Sequence, residues 1–187
     1  RYNEPKLKIM GIEAVKSSTP KVCRNKIKEA LKIIMNEDSK VLNTFIQDFR
    51  SDFMKLTPEE IAYPRSVNGL EKFSSSNGMF AKGAPIHCKG AILYNHLLKT
   101  KKLTKKYPLI QEGDKIRFVH LRQPNVYTSS AFSFITSFPK ELDLKDKIDY
   151  DTQFTKSFVE PLKFISEKID WWIDDSYGTQ GTLDGFF

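Results

Sequence analysis

Residues 19–53 read TPKVCRNKIKEALKIIMNEDSKVLNTFIQDFRSDF. In the first half Val22, Ile27, Ala30, Leu31 and Ile34 recur at helical spacing, to about Met35. Thr19 precedes them as an N-cap residue and Pro20 fits the first helical position. Ser39 can cap a second helix, with Leu42, Phe45, Ile46, Phe49 and Phe53 on one face. The short link between the two runs predicts an antiparallel helix pair.

Working outward, Thr57-Pro58-Glu59-Glu60 has the form of a capping box, and Pro64 is expected to stop the brief helix it starts. Ser74 to Gly78 reads as a loop, and Lys82-Gly83-Ala84-Pro85 leads into a helix over about 86–99. Lys101 to Lys106 is a basic loop. Lys115 to Arg122 and Ser130 to Ile135 read as strands, as does the extended run over 6–15. Tyr150 to Asp174 is expected to be helical, with Pro161 kinking it or beginning a new helix. The last ten residues read as a tail. The fold class is therefore α+β with helices dominant.

The chain has 187 residues, a length suited to one domain. With 40% hydrophobic and 28% charged residues, a wholly disordered or collagenous chain is excluded. Two cysteines, Cys23 and Cys88, are too few for a disulfide framework, and a reducing compartment is expected. No apolar run approaches the roughly 20 residues that span a bilayer. Arg1 to Lys8 lacks the apolar core of a signal peptide, and the first residue is Arg rather than Met, as in a piece of something longer.

The net charge of +7 is segregated. Residues 1–32 hold nine basic and three acidic side chains, and residues 65–122 hold twelve and three. Residues 141–187 hold five basic and eleven acidic ones. Two basic blocks separated by a neutral-to-acidic stretch suggest one positive face for a polyanion. Solvated faces are the alternative.

No catalytic centre is legible. Asp149-Tyr150-Asp151 and Asp174-Asp175 offer acidic pairs at helix ends, where capping explains them. His87-Cys88 with Cys23, His96 or His120 lacks zinc-like spacing, and no phosphate-loop or dinucleotide glycine pattern occurs. Lys16-Ser17-Ser18-Thr19-Pro20-Lys21 places two hydroxyls and free N–H groups at a helix N-terminus between lysines. That suits a phosphate, and equally an ordinary N-cap. At the other end, Gln180, Leu183, Phe186 and Phe187 form the pattern Q-x-x-L-x-x-F-F of a sliding-clamp-binding peptide. One short turn would point its three apolar side chains into a partner's pocket.

Lys6 to Glu13 followed by Lys16-Ser17-Ser18-Thr19-Pro20 resembles the start of the thumb of tailed-phage family B DNA polymerases. Pro85 to Tyr94, Gly113 to Arg122 and Lys156 to Leu162 are similar to later parts of that thumb, and such polymerases also end in a clamp peptide. The resemblance implies a mostly helical thumb over 1–175, with a small antiparallel sheet, and a flexible clamp-binding tail over 176–187. It implies that Lys16 reaches the minor groove of primer-template duplex while Ser17, Ser18 and Thr19 contact the backbone. Lys21, Lys82, His87, Lys89, Arg122 and Lys156 complete the DNA-binding set it implies. Glu160, Ser129 and Ser130 depart from basic positions of the family. The palm and exonuclease carboxylate motifs are absent, so no catalytic residue, metal ligand or cofactor is expected in this chain. Magnesium would belong to the complete polymerase. The implied partners are duplex DNA, a sliding clamp and the palm, fingers and exonuclease portion. No membrane is implied, and the location would be the host cytoplasm. A stand-alone DNA-binding clamp adaptor is the alternative, and a clamp-recruited nuclease using acids of 149–175 a weaker third.

Overall fold

The computed structural model describes residues 16–75, 80–167 and 173. The expected strand over 6–15 and the clamp peptide lie outside these residues. Helix α1 (Lys21–Asn36) buries Cys23, Ile27, Ala30 and Leu31. Helix α2 (Ser39–Phe53) buries Leu42, Ile46, Phe49 and Phe53. The two pack against each other, as the periodicity requires. Their caps differ from expectation by one residue. Pro20 is the N-cap of α1 and no side chain caps it. Asp38, not Ser39, caps α2, its carboxylate accepting the Val41 N–H at 3.0 Å. Either Asp or Ser can serve there; the chain is still extended at Asp38 and helical from Ser39.

The Glu60 carboxylate accepts from the Thr57 N–H at 2.9 Å and starts α3 (Pro58–Ile61). Pro64 does not end that helix. It lies inside strand β1 (Tyr63–Ser66), which the sequence reading missed. β1 is an edge of the sheet β1-β2-β3, where a missing donor is tolerated. After α4 (Leu70–Phe73), whose first N–H groups are taken by the Glu112 carboxylate, comes α5 (Ile86–Thr100). Strands β2 (Lys115–His120) and β3 (Ala131–Phe134) follow. Both pairings are antiparallel, with Tyr63 opposite Phe118, Arg65 opposite Ile116, and Phe118 opposite Ser133.

Helix α5 lies on β3 with Gly90 at the closest approach, where a Cβ would stand 2.4 Å from Ser133 Oγ and 2.7 Å from the Ser133 nitrogen. Beyond β3, helix α6 (Tyr150–Phe154) runs through a π-helical turn, Thr155–Val159, into α7 (Glu160–Ser166). The chain thus stays helical across Pro161. Widening the turn before it relieves the clash of the proline ring with the preceding carbonyls. Phe49 sits at the centre of the helical core, 4.7 Å from Phe158, 5.6 Å from Phe154 and 5.8 Å from Phe53 between ring centroids.

A fully buried side chain helps join the helical and sheet portions. Gln153 Nε2 donates to the Ile61 carbonyl at 2.7 Å, and its Oε1 accepts the His120 N–H at 3.0 Å. A buried amide that satisfies two backbone groups on separate elements fixes their relative placement.

Candidate nucleic-acid interface

The Lys16–Thr19 segment is a tight turn, its Thr19 N–H donating to the Lys16 carbonyl at 3.2 Å. Lys16 and Ser17 are exposed, Ser18 is half-buried, and Thr19 is withdrawn at 4% exposure. The turn sits at one end of the β1–β2 ribbon. Ser17 and Ser18 line a groove of about 400 Å³ with Pro64, Arg65, Ser66, Lys115 and Ile116. Arg65 Nη1 donates to the Ser18 carbonyl at 2.7 Å and to the Pro64 carbonyl at 2.8 Å. A neighbouring groove of about 600 Å³ carries Lys21, Arg24 and Arg117 with Pro20 and Pro64 between them. Its two acids are engaged elsewhere. Glu59 accepts the Phe138 N–H at 2.9 Å and Glu60 caps α3.

From this end a buried stripe of rings runs along the sheet, with Tyr63, Phe118 and His120 all withdrawn from solvent and supporting the surface above them. The Arg65 guanidinium stands 5.6 Å from the ring centroids of both Tyr63 and Phe118, which stack 5.1 Å apart. His87, in the first turn of α5, lies 6.4 Å from Phe118, ring to ring. Burial, and next the Arg65 charge, hold His87 below its ordinary value of 6.5. His120 follows two residues beyond Phe118 on the same face, 5.7 Å from it. Burial, then the Lys156 charge, push His120 down to about 4, against the opposing pull of Asp149. Lys156 itself is exposed on the π-helical turn.

The structure therefore gathers Lys16, Ser17 and Ser18 at one end of the stripe, His87 at its middle and Lys156 near its far end. Lys21 flanks it in the second groove. Lys82, exposed in the turn before α5, and Lys89, whose Nζ lies 5.3 Å over the Phe80 ring, stand around the start of that helix. Arg122 is exposed beyond the end of β2, its N–H donating to the Lys147 carbonyl. Among the departures from basic positions, Ser129 has a structural role. Ser129 is fully buried and donates to the Ala131 carbonyl at 2.8 Å. Burial chiefly raises the Tyr63 hydroxyl, with the Glu160 charge a small addition, so a carboxylate stands near the stripe. The sequence reading missed Arg65, Lys115 and Arg117. For Lys115 and Arg117 the signal was the alternation Lys-Ile-Arg-Phe, which marks a strand with one charged face; Arg65, within Tyr-Pro-Arg-Ser, carried no such signal.

The acidic pair of 149–151 is structural. Asp149 accepts from Thr152 N–H and Oγ1 at 3.0 and 2.7 Å, and Asp151 pairs with Arg50 at 2.6 Å. Among the described residues no group of three or more His, Cys, Asp or Glu side chains is placed to hold a metal ion. Cys23 is buried, and burial raises its thiol to about 11, so it is no nucleophile near neutral pH. Among the described residues no helix is long and apolar enough to cross a membrane.

No family model matches the chain. It is 32% identical over 178 residues to the DNA-directed DNA polymerase of Escherichia phage RB69, covering 91% of this chain and 19% of that protein. It is 28% identical over 191 residues to the DNA-directed DNA polymerase of Enterobacteria phage T4, covering 100% of this chain and 20% of that protein. The chain is a relative of part of a phage DNA polymerase. It spans about a fifth of the length of these two curated relatives. The match to the T4 polymerase extends over the whole chain, so the basic turn, the stripe and the acidic C-terminal block all lie within the polymerase-like region.

Proposed function

We propose that this chain is the thumb of a phage family B DNA polymerase, and that its basic turn and the groove beside it grip primer-template duplex behind the polymerase site. The observation that carries the reading is the meeting of Ser17 and Ser18 with Arg65 and Lys115 in one groove, next in sequence to the exposed Lys16. Exposed cations and hydroxyls at that spacing suit phosphates of a duplex backbone, which carry no base identity, so the grip is independent of sequence. Lys16 enters the minor groove, Ser17 and Ser18 take the backbone, and His87, Lys89, Arg122 and Lys156 extend the contact. Magnesium and the catalytic carboxylates belong to the palm, supplied by other polymerase sequence. Gln180, Leu183, Phe186 and Phe187 tether the polymerase to a sliding clamp, which makes rebinding intramolecular and the enzyme processive. The work is done in the host cytoplasm.

Duplex binding by the 187-residue chain tests the grip. With about four to six phosphate contacts, log K falls with log salt at a slope of roughly −4 to −5. Lys16→Ala weakens binding on every sequence alike. Affinity that ignores salt would overturn the reading. Calorimetric titration of the clamp tests the tether: replacing Phe186 and Phe187 with Ala abolishes clamp binding and leaves duplex binding intact.

A further inference from the structure

We propose that Arg65 is a positioning residue of this interface: it locks the Lys16–Thr19 turn in its binding shape. The inference rests on the duplex-binding reading and deepens it.

Two sides of Arg65 are held. On one, its guanidinium lies 5.6 Å from the centroids of both Tyr63 and Phe118, a stacked pair fixed by the β1–β2 register. On the other, Nη1 reaches out of the sheet to the Ser18 carbonyl at 2.7 Å, while the Pro64 carbonyl at 2.8 Å takes a second bond from the same nitrogen. Ser18 is 47 residues away in sequence, so this bond ties the turn to the rigid sheet. Within the turn a backbone bond runs from Thr19 to Lys16, and no side-chain hydrogen bond caps the helix that follows. The geometry needs arginine. A planar guanidinium can stack on two rings and donate along its edge at once, whereas a lysine ammonium can do one or the other. Fixing a loop in its bound shape before DNA arrives removes an ordering cost from binding.

A lysine at position 65 keeps the positive charge and loses the clamp on the turn, which separates positioning from a plain phosphate contact. Duplex affinity of wild type, Arg65→Lys, Lys16→Ala and the double variant is measured at fixed low salt, well below the unfolding midpoint of each. Positioning predicts that Arg65→Lys weakens binding about tenfold. It also predicts that Lys16→Ala costs much less in the Arg65→Lys background than in wild type, because a loosened turn no longer presents Lys16. Limited trypsinolysis supplies a readout without DNA: cleavage after Lys16 is several-fold faster in Arg65→Lys than in wild type. Wild-type affinity in Arg65→Lys, strictly additive losses in the double variant, or unchanged cleavage after Lys16 would each overturn the proposal. Absence of duplex binding by wild type would instead sink the functional reading, while the cleavage comparison would still judge the tie between Arg65 and the turn.

Discussion

Gln153 ties two elements together, because its amide satisfies a carbonyl of α3 and an N–H of β2 in a fully buried place. Gln153→Leu keeps most of the volume and strands both backbone groups. We expect a loss of about 2–5 kcal/mol, the cost of two buried unsatisfied groups, read by urea unfolding. A loss well under 1 kcal/mol would mean that water replaces the amide. His120 gives a second prediction at this scale. Its folded pKa of about 4 lies below its ordinary 6.5, so the unfolded chain binds the proton more readily between those values. Stability is therefore complete above pH 6.5 and declines as pH falls toward about 4. His120→Gln flattens that part of the stability profile, and an unaltered slope in the variant would assign the effect to other groups. Both residues were visible in the sequence only as a glutamine and a histidine among apolar neighbours. Their environment comes from elements 33 positions apart, which no local pattern encodes.

Among the elements, α5 and β3 meet more closely than any side-chain inventory suggests. Gly90 allows it, since a Cβ there would collide with the backbone nitrogen of Ser133 at 2.7 Å. A helix-favouring change is thus harmful here: Gly90→Ala destabilises by about 1–3 kcal/mol through overpacking, even though alanine has the better helix propensity. Thermal unfolding of the variant decides the sign. The helices themselves were legible. Their apolar residues repeat at 3.6-residue spacing, and α1, α2 and α5 fall within about two residues of expectation. β1 was not legible, because its four residues include Pro64, which locally argues against a strand. Only pairing with β2 makes the segment extended. The same limit applies at Pro161. Proline signals a break, and the break became a π-helical turn while the aromatic core around Phe49 holds Phe154 just before that turn and Phe158 within it.

For the whole molecule, we expect no primer extension and no nuclease activity from the purified chain with any divalent metal. The motivation is the lack of palm and exonuclease motifs in its sequence, and extension by the chain alone would refute it. Charge balance, the helical periodicities and the basic turn before α1 follow from the sequence by itself, because each depends on residues within a few positions of one another. The resemblance to a polymerase thumb also rests on short local motifs. Tertiary structure alone decided that the turn lies against the β1–β2 edge, that Arg65 reaches back to Ser18, and that His87, Phe118, His120 and Lys156 form a line. Those relations join residues tens of positions apart. They exist because burying the aromatic faces and satisfying the buried polar groups admits only one arrangement of the elements.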